Sequence, residues 1–168
     1  MAASDKRSAD EIVVLADESG SMIDIDGGNR ERPRSRLDLV KEALATLPAG
    51  VRIIAFHDVC REIKSPEELR IGGGTALHLA IEKAATFSPV RTIIISDGEP
   101  DSEERATKAA NELAGIIDVL YCGSPTNTHA RAFLESLAKA GMGSYYETGD
   151  QIDVAKQLPA AIKGLLGK

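Results

Sequence analysis

Apolar positions along the chain fall into two alternating patterns. Four short β-branched runs, "EIVVLA" (11–16), "VRIIAF" (51–56), "RTIIIS" (91–96) and "IIDVLY" (116–121), are nearly continuous in apolar residues, as strands buried on both faces are. Between them apolar residues recur every three or four positions: Leu37, Val40 and Leu44; Leu77, Ile81 and Ala84; Ala106, Ala109, Ala110 and Leu113. That spacing lines one face of a helix. Strand alternating with helix predicts an α/β domain around a mostly parallel sheet.

The punctuation agrees. Ser35 with Asp38 three residues later has the form of a capping box, and Asp101 with Glu104 repeats it. A fourth helix is expected from near Thr128, carrying Phe133, Leu134 and Leu137 until "AGMG" stops it, with a short strand "GSYYE" after it. A last helix is expected from about Asp150 through Ala155, Leu158, Ile162 and Leu165, kinked or restarted at Pro159. "VCREIKS" (59–65) follows "FHD" too closely for a crossover helix, so it predicts a hairpin and one antiparallel strand beside the parallel set. With no internal repeat and no linker, one domain is expected over 11–166, after a flexible polar tail at 1–10.

Composition narrows the class. A chain of 168 residues, 43% hydrophobic and 27% charged, is ordinary for a globular protein and too apolar for a disordered one. Its net charge of −6 argues against nucleic acid or an anionic membrane as the main partner, and suits a cation or a basic surface. The first residues lack an apolar export segment and no run approaches the 18 apolar residues of a membrane span, so a cytoplasmic protein is expected. Cys60 and Cys122, far apart and outside any Cys-x-x-Cys spacing, read as two thiols rather than a disulfide or metal pair.

Candidate chemistry lies in the loops after the strands, because open parallel sheets bind ligands outside the carboxyl ends of their strands. "ADESGSM" (16–22) places Asp17, Ser19 and Ser21 after the first strand, "DGEPD" opens with Asp97 after the strand at 91–96, and "GGGT" ends in Thr75. Two carboxylates and three hydroxyls make an oxygen-only set suited to a hard cation such as Mg²⁺. Few acids leave the bound ion net positive, able to take a further carboxylate from outside. Gly72, Gly73 and Gly74 would let the backbone approach closely and present Thr75 from a loop free to shift.

These residues give the chain a resemblance to the von Willebrand factor A domains. Their metal-ion-dependent adhesion site uses Asp-x-Ser-x-Ser, a distant Thr and an Asp closing a later strand, here "DESGS" (17–21), "GGGTAL" (72–77) and "IIISDGEPD" (93–101). "VRIIAFHD" (51–58) resembles the family's second strand, and the likeness spans residues 11–165. The resemblance implies a three-layer, Rossmann-like, doubly wound sheet of six strands with the hairpin strand at one edge. It implies that Ser19, Ser21 and Thr75 supply hydroxyl ligands, with Asp17 and Asp97 binding directly or through water. The expected ion is Mg²⁺, or Mn²⁺ or Ca²⁺, and the expected role is non-catalytic: a partner protein's Asp or Glu completes the ion's coordination. Small intracellular members act beside other proteins, including ATPases and stress-response or kinase-phosphatase systems, so such a component is the expected partner.

Other readings account for less. A haloacid-dehalogenase-like phosphatase also places an Asp after its first strand, which would make Asp17 a nucleophile, but its usual second Asp is replaced by Ser19 and no phosphate-binding Lys is identifiable. A nucleotide-binding fold lacks its Gly-x-Gly-x-x-Gly, and no Gly-x-Ser-x-Gly, phosphate-loop or His-Glu-x-x-His motif is present. The segment "IDIDGGNRERPR" (23–34) is longer than the family needs. Its "DIDGGN" has neither the full spacing nor the closing Glu of a calcium loop. Arg30, Arg32, Arg34 and Arg36 read as a solvated charged loop, with recruitment of an acidic partner as the alternative. His57, His78 and His129 read as ordinary polar positions, and Glu99, Asp101, Glu103 and Glu104 as the acidic start of a helix.

Overall fold

The computed structural model describes residues 12–23, 25–28, 33–48 and 50–147. The expected N-terminal tail, the last helix with Pro159, the domain limits at 11 and 166, Arg30, Arg32 and the Arg34 side chain lie outside the described part. In chain order it contains β1 (Ile12–Asp17), β2 (Ile25–Gly28), β3 (Pro33–Ser35), α1 (Arg36–Leu44), β4 (Arg52–Phe56), β5 (Cys60–Ile63), α2 (Leu77–Ala85), β6 (Arg91–Ser96), α3 (Glu103–Glu112), β7 (Ile116–Tyr121), α4 (Thr128–Ala140) and β8 (Met142–Glu147).

Six strands form one sheet in the order β5-β4-β1-β6-β7-β8. Every neighbouring pair is parallel except β4 with β5, the hairpin strand at the edge. The fold is therefore α/β, three-layered, Rossmann-like and doubly wound. Alternation along each central strand feeds both layers. Val13 and Leu15 of β1 pack with Leu77 and Ile81 of α2, Ala106 of α3 and Leu134 of α4, while Val14 and Ala16 pack with Leu37, Val40 and Leu44 of α1. A strand covered on both faces is apolar at most positions, which is why these runs are nearly continuous.

Two local expectations need correction. In the stretch expected as a plain loop at 23–34, β2 and the start of β3 pair antiparallel as a separate two-stranded sheet. At α3 the cap is Ser102, whose side chain accepts from Arg105 N, one residue later than the expected Asp101. Asp101 is engaged elsewhere, because its Oδ1 accepts from Thr75 N at 2.9 Å. The capping box at Ser35 and Asp38 is formed in both directions. Cys60 and Cys122 are not joined in a disulfide, and no helix among the described residues is long and apolar enough to cross a membrane.

Ile94 sits in the middle of β6 and is fully buried. Ile94→Ala should lower unfolding free energy by about 2–5 kcal/mol through lost transfer energy and a residual cavity. The same truncation at exposed Val90 should change it by no more than about 0.5 kcal/mol, both read from urea unfolding curves.

Candidate metal centre

The sheet order reverses at β1: the chain goes to β4 on one side and later returns to β6 on the other. Asp17 is the last residue of β1, and Asp97 follows the last residue of β6. The crevice beyond these two strands is where an open α/β sheet places its ligand site. Beyond Asp17 the chain turns at once, because Ser19 N donates to Asp17 Oδ1 at 2.7 Å and a 3-10 turn spans Gly20–Ile23. Met22, buried in the layer beneath, anchors that turn.

Four of the five residues singled out from the sequence form one hydrogen-bonded group. Ser21 Oγ donates to Asp97 Oδ1 at 2.7 Å, and the Ser19 and Ser21 hydroxyl oxygens lie 3.3 Å apart. Ser96 Oγ donates to Asp17 Oδ2 at 2.7 Å. Asp17, Ser19 and Asp97 are buried, as is Ser96. Thr75 joins through its loop and not through a hydrogen bond of its hydroxyl to the other four. Gly72 N donates to Glu18 O at 2.8 Å and Gly20 N to Gly73 O at 3.3 Å, while Asp101 N donates to Thr75 O at 2.8 Å. The glycine loop is thus tied to its neighbours at Gly72, Gly73 and Thr75. A Cβ at Gly72 would overlap the His57 ring, so any larger residue there would have to displace that side chain.

Three residues outside the five singled out from the sequence shape the group. Ser96 lies one step beyond the Ala16–Ile95 pair of the β1–β6 register, directly beside Asp17; only the register reveals it. Arg36 belongs to the first turn of α1, not to a solvated loop, and its Nη1 donates to Asp97 Oδ2 at 2.8 Å within a buried ion pair. The capping box was the available signal, because it makes Arg36 the first helical residue, and a helix beginning at this rim presents its first turn there. Glu18, the residue between Asp17 and Ser19, is fully buried. Its carboxylate accepts from Arg70 N at 2.9 Å, pairs with the Arg61 guanidinium and faces His57 Nδ1 at 2.8 Å.

Gly123, after β7, completes the enclosure by packing its backbone against the Asp97 carbonyl so closely that a Cβ would collide with it. Tyr121 donates to Ser124 O at 2.6 Å. Burial pushes its hydroxyl up to about 12, so it stays protonated.

Burial and then the neighbouring Asp97 charge raise Asp17 from 3.8 to about 6, against the opposing effect of hydrogen bonds from Ser19 and Ser96. Asp97 is paired with the Arg36 guanidinium while Asp17 is held by a hydroxyl and an amide, so the group has charge room for a further cation. All the side-chain donors are oxygens, which fits Mg²⁺, Mn²⁺ or Ca²⁺ and not a softer, nitrogen- or sulfur-seeking ion. Among the described residues no three or more His, Cys, Asp and Glu side chains gather as a metal cluster; this set has two carboxylates and relies on hydroxyls for the rest. No protein-family model and no curated protein matches the chain.

A carboxyl whose folded value is raised holds its proton more tightly when folded, so its contribution to stability is full below the unfolded value and is lost as pH rises through the folded one. For Asp17 that window runs from about 4 to about 6. Asp17→Asn keeps the shape and removes the charge. Without divalent ions, its unfolding free energy relative to the native chain should rise across this window by on the order of 1–3 kcal/mol. Urea midpoints at pH 3.5 and pH 7 for both chains test this, and a constant difference would contradict it.

Proposed function

We propose that this chain is a divalent-metal-dependent protein-binding module of von Willebrand factor A type, in which an Asp or Glu of a partner completes the coordination of an ion. The observation that carries the reading is the hydrogen-bonded convergence of Asp17, Ser19, Ser21 and Asp97 at the switch point, with the Thr75 loop tied to the same turn. Asp17, Ser19, Ser21, Thr75 and Asp97 would hold the ion, Mg²⁺ in the first instance, and the bound ion would supply a positive centre for a carboxylate oxygen. The chain's own residues do the rest. Ser96 and Ser19 N orient Asp17, Ser21 and Arg36 orient Asp97, and the glycine loop orients Thr75.

The surroundings suit a protein ligand. Ile23, Val59 and Ile71, in the turn after Ser21, in the β4–β5 hairpin and just before the glycine loop, leave apolar side chains exposed that a protein ligand would cover. Catalysis would need a nucleophile with its base or a phosphate cradle, and the residues here are engaged in holding one another. The partner class that accords with this reading is an acidic segment of another protein, with an ATPase or stress-response component as the family-level expectation, in the cytoplasm.

Isothermal titration of the chain with MgCl₂ should show saturable binding that disappears when Ser19 and Ser21 are both changed to alanine. Unchanged affinity in that double variant would sink the assignment. A partner retained in Mg²⁺ and released by EDTA would extend it to the protein ligand.

A further inference from the structure

Arg36 is a buried arginine whose charge is spent on a candidate metal ligand. Its guanidinium lies 2.8 Å from Asp97 Oδ2, and the Asp97 side chain has no solvent exposure. The two Asp97 oxygens are therefore divided, Oδ1 to the Ser21 hydroxyl and Oδ2 to Arg36. Arginine keeps its charge at every working pH, so this positive charge cannot be titrated away. Nor does its base move easily: Ser35 Oγ accepts from Asp38 N at 3.1 Å and Asp38 Oδ2 from Ser35 N at 3.2 Å, closing the first turn of α1 around the residue. Side chains in a helix lean toward its N-terminus, which here is the rim of the site.

We infer that Arg36 is an internal counter-cation: it holds Asp97 in the ion-free protein and opposes the entry of a divalent ion, setting the affinity of the site below what its oxygen donors would support. This rests on the metal-site reading above and adds the residue that tunes it. Like charges a few ångströms apart in partly desolvated surroundings repel strongly. Asp97 accordingly either remains shared between Arg36 and the ion or exchanges one for the other. In both cases the guanidinium senses the ion.

Calorimetric titration of MgCl₂ into the full chain, into Arg36→Gln and into Arg36→Lys tests this. Arg36→Gln, which keeps a donor but loses the charge, should bind Mg²⁺ at least about tenfold more tightly, whereas Arg36→Lys should stay within about threefold of the native chain. Binding by the glutamine variant alone would support the inference equally. Equal or weaker binding by Arg36→Gln, with the native chain still binding, overturns the inference and leaves the metal site standing. Absence of binding in all three chains removes both. Should the glutamine variant fail to fold, the Arg36 Nε–Hε signal of the native chain in ¹⁵N-resolved NMR must move with Mg²⁺ at the calorimetric midpoint; a signal that stays in place overturns the inference.

Discussion

The buried carboxylate of Glu18 joins the candidate site to the sheet beneath it. Removing a carboxylate from water costs several kcal/mol, and here the cost is offset only because donors converge from separate parts of the chain: Arg61 on β5, the Arg70 amide, and His57 beyond β4. The backbone repeats the arrangement. Glu18 N donates to Phe56 O and Glu18 O accepts from Gly72 N, so the residue between Asp17 and Ser19 is clamped on both sides. The site turn, the hairpin and the glycine loop cannot separate without stranding that charge.

From this clamp follows a division of labour between the two candidate acids. Asp17 is held by neutral donors, a hydroxyl and an amide, while burial and the Asp97 charge raise it to about 6, so the charge it carries at neutral pH comes at the expense of stability. Asp97 is held by a hydroxyl and a guanidinium. Two carboxylates within one group are thereby made chemically unlike by their surroundings alone. The fixed arginine sits on one side of the centre only.

Much of the fold was legible in the chain because the buried strands and the helix faces have different periods. β1, β4, β6 and β7 coincide with the four apolar runs, and the buried positions of α1 and α2 with the spaced ones. The hairpin strand β5 followed from chain length alone, since the three residues between Phe56 and Cys60 leave no room for a crossover. What escaped were contacts set by register and by three-dimensional neighbourhood. Ser96 becomes a partner of Asp17 only when β1 and β6 align, and Asp101 leaves the cap of α3 because the Thr75 amide competes for it. Arg36 looked like one of four alternating loop arginines; the helix start one residue before it changes both its burial and its partner. Of the oxygen set, the sequence named the members, while their mutual hydrogen bonds, and the indirect attachment of Thr75, belong to the folded chain.

The position of β1 in the middle of the sheet has a kinetic side. Its neighbours are β4 and β6, and the Ser96–Asp17 bond closes a separation of 79 residues. Contacts of such range carry the entropy cost of closing a long loop, and chains rich in them fold more slowly. A chain emerging from the ribosome displays "DESGS" early, yet its oxygens remain scattered until β6 has been made and inserted. The oxygens therefore come together only once β6 lies beside β1, and a ligand at that rim would meet them only in a chain already folded that far.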